Sequence, residues 1–221
     1  MSGPSREELI ERADWVMRRT EALLRENGGI NAEWYFGRGH GSLLYRLRLN
    51  DEMASWMNRG TLKAVLFSVI RHAAERAKYD CAVFASDTWL FESNEEYSKL
   101  TTEQQRAVQD RGFKKAVALG YGKVHEAICV TGQTPEWSVV LTKHYQRDPL
   151  NPDKVRKVDD YKFPPECETR LSGGRSVMFG EWNEPGMEQA YRKVREFPEY
   201  RELMATRESL TTLVNIRTED S

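Results

Sequence analysis

Leu9, Ala13, Val16, Met17, Thr20 and Leu24 recur at the three- and four-residue spacing of a helix face. Ser5 stands three residues before Glu8, the arrangement in which a hydroxyl and a carboxylate each satisfy a free backbone N–H at a helix start. Asn27-Gly28-Gly29 stops the pattern, since glycine accepts the left-handed cap conformation. These signals predict a helix over 6–27. A second stripe, Leu62, Val65, Leu66, Val69, Ile70, Ala73 and Ala77, predicts a helix over 61–78 that covers a sheet. Thr61 is placed to cap it after Gly60, and His72 lies at the stripe's flank.

Between these stripes the period changes to two. Residues 32–48 read as a hairpin around Gly37-Arg38-Gly39-His40-Gly41. A four-residue loop, Arg38–Gly41, sets Phe36 opposite Leu43, Trp34 opposite Tyr45 and Glu33 opposite Arg46. One face is then Ala32, Trp34, Phe36, Leu43, Tyr45 and Leu47. The other carries Glu33, Tyr35, Ser42, Leu44, Arg46 and Arg48. A phosphate-binding glycine loop joins a strand to a helix, whereas these glycines join strand to strand, so they read as a hairpin tip.

Residues 81–91 form a strand apolar on both faces, as expected for a central strand covered on each side. Residues 101–119 carry a ragged helical pattern, with Thr101 or Thr102 as cap and Gly112 as an interruption. Residues 124–146 predict a second hairpin. A loop of Gly132–Pro135 sets Val130 opposite Trp137, Ile128 opposite Val139 and Glu126 opposite Leu141. After Asp148 the texture turns proline-rich and charged, with further strands expected at 174–182 and 210–217. The order of elements predicts an α+β fold with a largely antiparallel sheet. It divides into a core over 1–148 and a C-terminal extension over 149–221, packed on the same domain.

Composition narrows the functional classes. A net charge of −1 over 221 residues lacks the basic footprint of a nucleic-acid-binding domain. Cys81, Cys129 and Cys167 form no CxxC pair, so neither a disulfide framework nor a structural zinc site is expected. The opening MSGPSREELIER has no apolar core, and the run at 64–70 is too short to span a bilayer. Soluble, cytoplasmic and away from membranes is the expectation.

Two carboxylates stand out. Glu126 interrupts an apolar strand face, and Asp87 interrupts the face of Val83, Ala85, Trp89 and Phe91. Buried carboxylates need partners and have raised pKa values, and two sharing a cleft can divide acid and base roles or hold a divalent metal. With Lys143 on the same face they make a candidate catalytic set, Asp87, Glu126 and Lys143. The alternative reading is structural pairing of Glu126 with Lys143 or an arginine. The PD-(D/E)xK nuclease pattern fails, because Ile128 stands where its lysine belongs. His125, Cys129 and His144 share the opposite face, where small-residue packing is the simpler reading of the cysteine. Arg38, His40, Arg46 and Arg48 form a candidate binding set on the first hairpin.

Among the six tryptophans, Trp34, Trp89 and Trp137 fall on expected core faces, while Trp15, Trp56 and Trp182 do not and are candidate interface anchors. The expected function is a binding or interaction protein without catalysis or cofactor, with a protein partner or a second copy as its target. One alternative is a metal-dependent hydrolase or phosphodiesterase using Asp87 and Glu126, the only reading that calls for a divalent metal. Another is nucleic-acid binding through the first hairpin.

Overall fold

A computed structural model describes residues 3–41, 43–47, 66, 70–71, 74, 77–110, 112–159, 168–170, 196 and 211–215. The fold is α+β. Helix α1 spans Arg6–Asn27, and its start carries both halves of the Ser5–Glu8 box. Its end is Gly28 at φ +71°, where a side chain is excluded twice over: the backbone is left-handed, and a Cβ would lie 1.7 Å from the Asp153 carbonyl oxygen. Strands β1 (Glu33–Gly37) and β2 (Leu43–Leu47) form the first hairpin. Strand β3 runs Cys81–Ser93, followed by three short helices, α2 (Glu95–Ser98), α3 (Thr102–Asp110) and α4 (Phe113–Ala118). Strands β4 (Gly122–Gln133), β5 (Trp137–Asp148), β6 (Asn151–Val158), β7 (Glu168–Arg170) and β8 (Thr211–Asn215) complete the described elements.

All eight strands join one sheet in the order β6-β5-β4-β3-β1-β2-β8, with β7 also on β5, and every pairing is antiparallel. Strands from beyond residue 149 therefore extend the same sheet at both edges. Of the helix expected over 61–78, Leu66, Ile70, Arg71 and Ala74 are among the described residues and are helical and buried, whereas Ala77 and Lys78 already form a turn, so the helix ends earlier than expected. Thr61, His72, Trp56, Trp182 and the strand expected at 174–182 lie outside the described residues. No helix among the described residues is long and apolar enough to cross a membrane.

Helix α1 lies across β3–β6 and buries Leu9, Ala13, Val16, Met17 and Leu24 against Val83, Ala85, Ile128, Val130, Leu141 and Val155. Trp15, expected to be exposed, is 3% exposed and meets Tyr35 edge-on at 5.6 Å. The opposite face of the first hairpin holds a second aromatic cluster, in which Trp34 packs at a tilt against Phe84 and Phe36 stacks on Tyr79. Both faces of β1 are thus covered. Of the side read from sequence as polar, Glu33, Tyr35 and Leu44 are buried, with Tyr35 against Trp15 and Arg19 of α1.

Both hairpins keep the expected faces but not the expected register. In the first, Trp34 faces Leu47, and Arg46 faces Tyr35 in place of Glu33. The cause is a longer loop, anchored from outside the hairpin. The buried guanidinium of Arg12 donates from Nη2 to the carbonyls of Gly39 and Gly41, each at 2.8 Å. The Asp80 carboxylate accepts the Gly39 N–H at 2.9 and 3.0 Å. An internal carboxylate thus takes the loop amide that a phosphate would need.

In the second hairpin Val130 faces Leu141 and Glu126 faces Tyr145, so the turn sits further along the chain than expected. Thr134 sets it there: its N–H donates to the Trp137 carbonyl, and its hydroxyl accepts from the N–H groups of Glu136 and Trp137. Pro135, which has no N–H for the ladder, is placed inside the turn. Both slips are even-numbered, so no side chain changes face.

Candidate functional site

Strands β3 and β4 pair from Ala82–Gln133 out to Ser93–Gly122, well past the end of α1 at Asn27. The helices α2–α4 close the far end of this ribbon around a small core of Tyr97, Val108 and Ala116, with Phe91 stacked on Phe113 at 5.5 Å. Thr101 begins α3 with a second reciprocal cap, accepting from the Gln104 N–H while its own N–H donates to the Gln104 side chain. Between the main core and this small one lies a stretch of sheet on the α1 side. There Asp87, Trp89, Glu126, Tyr145 and Arg147 share one face.

Arg147 organises the group. Its Nε–H reaches both oxygens of Glu126, at 2.9 and 3.1 Å. Its Nη1 donates to the Gly28 carbonyl at the end of α1 and to the Pro152 carbonyl at 3.0 Å. Its Nη2 donates to the Tyr145 hydroxyl at 3.1 Å and stands 3.7 Å from Asp87 Oδ2. Tyr145 in turn donates to Asp87 Oδ1 at 2.7 Å. Burial pushes the Asp87 carboxyl above the ordinary aspartate range, and the Glu126 charge adds to that rise. The Tyr145 hydrogen bond and Arg147 oppose it without cancelling it. Burial, with the adjoining Asp87, also raises the Tyr145 phenol. The hydrogen bonds to Glu126 raise Arg147 further.

Trp89 lies two positions beyond Asp87 and opposite Glu126, and it is 60% exposed. This overturns its expected place in the core. A strand's alternation predicts which face a residue takes but not where the covering helix stops.

The structure brings Asp87 and Glu126 to one cation, Arg147, and leaves Lys143 out of the group. Lys143 faces Ile128 and pairs with Glu21 of α1 at 2.5 Å. Sequence reasoning missed Arg147 and Tyr145. Both continue the odd-numbered face that carries Lys143, and the true register sets them beside Glu126. Among the described residues no group of three His, Cys, Asp or Glu side chains is arranged to hold a metal ion.

The binding set on the first hairpin is dispersed into internal contacts. Arg38 donates to the Ala77 carbonyl and lies over the Tyr79 ring. His40 Nδ1 meets Glu8 at 2.7 Å. Arg46 pairs with Glu33, which also accepts from the buried Tyr35 hydroxyl. Arg48 lies outside the described residues. On the other face His125 and His144 stack in parallel at 5.1 Å, and His125 Nε2 meets Glu92 at 2.7 Å, while Cys129 pairs with Thr142 across the ladder.

No family model, no curated protein and no solved structure matches this chain.

Proposed function

We propose that the chain is a binding protein, without catalysis of its own, that engages a protein partner where the sheet runs beyond α1. The observation that carries this reading is the exposure of Trp89, a large aromatic side chain on a face where its neighbours are hydrogen-bonded or buried. Phe113, Val117 and Leu119 of the adjoining helical insertion are exposed as well. Tryptophan in such a setting is the side chain most enriched among residues that dominate interface energies. A photo-crosslinking amino acid at position 89, compared with one at the exposed Glu11 of α1, tests the reading. A discrete protein adduct formed from position 89 alone is expected. Adducts from neither position, or equally from both, overturn it.

A second reading, hydrolysis by Asp87 and Glu126 with a divalent metal, draws on their convergence and on the raised Asp87 carboxyl. It requires Arg147 to release Glu126. Manganese-dependent cleavage of a simple phosphodiester by the wild type, lost in Glu126→Gln, would establish it. Nucleic-acid binding has less support, since Arg38, His40 and Arg46 are each engaged within the fold.

A further inference from the structure

The cluster beside Trp89 is unbalanced in charge. Asp87 and Glu126 contribute two carboxylates, and Arg147 is the one cation paired with them among the described residues. The guanidinium is committed elsewhere: Nε to Glu126, Nη1 to two backbone carbonyls, and Nη2 to Tyr145. Asp87 Oδ2 keeps it only at 3.7 Å, past hydrogen-bond reach. A residual negative charge therefore lies two residues along the strand from an indole whose face is electron-rich.

Each class of occupant fares differently at such a place. An apolar side chain covering Trp89 would strip water from Asp87 without replacing it. An anionic one would meet like charge. A cation gains from the indole face and from the carboxylate together, and a planar guanidinium suits both, by stacking and by directed N–H donors.

Resting on the binding reading above, we infer that the partner presents an arginine side chain here, taken between the Trp89 indole and the Asp87 carboxylate. The other side chains that reach this spot are held. Tyr145 donates to Asp87, and Arg147 bridges Glu126 to the end of α1, so the side chains around Trp89 are held in place before the partner arrives.

The test is calorimetric titration of the full chain, near neutral pH, with short capped peptides rich in arginine, in lysine or in glutamate. The arginine peptide is expected to bind saturably, the lysine peptide more weakly and the glutamate peptide not at all. Trp89→Leu and Asp87→Asn should each weaken the arginine peptide about tenfold, the scale of a partly desolvated cation–π or ion-pair contact. Glu11→Gln removes the same charge from an exposed position on α1 and should change affinity less than about twofold. Melting curves confirm that the variants are folded. An arginine peptide that does not saturate, or that is weakened equally by Glu11→Gln, overturns the inference. So does a glutamate peptide that binds as well. If the crosslinker at position 89 still captures a protein in those cases, the arginine assignment alone fails. If it captures none, the binding reading falls with it.

Discussion

Two tyrosine–carboxylate–arginine clusters lie on the same face of this sheet, and they differ in what covers them. In the first, Tyr35 donates to Glu33, which pairs with Arg46, while Arg19 of α1 donates to the Tyr35 oxygen at 3.1 Å. Tyr35 is fully buried and Glu33 is 8% exposed. In the second, Tyr145 donates to Asp87 and Arg147 holds Glu126, yet the Asp87 side chain is 30% exposed and Trp89 beside it is open. The difference is the length of α1. Its Arg19 reaches over the first cluster, whereas Gly28 ends the helix against the second, lending it only a carbonyl. The same chemistry is a sealed fastening in one place and part of an open surface in the other.

Removing Arg147 should do the most damage. Arg147→Met leaves Glu126 without its cation and the Gly28 and Pro152 carbonyls without a donor, an expected loss of about 3 kcal/mol in urea unfolding. The tyrosines divide the two clusters directly. Tyr35→Phe should cost about 2 kcal/mol, because the hydroxyl serves a carboxylate that is almost wholly buried. Tyr145→Phe should cost about 1 kcal/mol, because water can replace it at Asp87. Equal losses in the two variants would erase the distinction drawn between the clusters.

A smaller effect has the opposite sign. The folded Asp87 carboxyl titrates above its unfolded value, so between those two values the folded state binds more protons, and stability falls as pH rises. Ionising Asp87 thus costs stability above this window, and the cost is gone once pH falls below the unfolded value. Asp87→Asn, which keeps an oxygen for Tyr145, should melt at or above the wild-type temperature near neutrality, with the gap closing in acid. A gap that widens in acid would contradict this. Smallest of all, Trp89→Ala should change stability by no more than about 0.5 kcal/mol in thermal melts, since more than half of its surface is exposed. A loss as large as that of Tyr145→Phe would mean that the indole belongs to the core.

Much of the fold was legible because side-chain faces survive an even slip in register. Glu126 stayed on the α1 side of β4 although its opposite number changed from Leu141 to Tyr145. The register itself was not legible. It depends on Arg12 and Asp80 reaching into the first loop, and on a threonine hydroxyl outcompeting other ways to turn at Pro135. A charged residue within an apolar stripe reads as surface, yet Arg12 is 1% exposed. The candidate site was half legible. Asp87 and Glu126 declared themselves by interrupting apolar faces. Arg147 sits in a charged stretch that reads as a surface connection, and nothing in the alternation of β3 marks where α1 ceases to cover it.

The pairing of β2 with β8 bears on how the molecule is made. Leu47 lies across from Thr211, so the ribosome delivers one edge long before the strand that pairs with it. Through that interval Leu43–Leu47 stands as an open template of backbone donors and acceptors, the kind of edge along which nascent chains adhere. A β8 from any copy fits that edge as well as its own. Refolding at high concentration therefore favours exchange of this strand between molecules, and dilution favours each chain closing on itself.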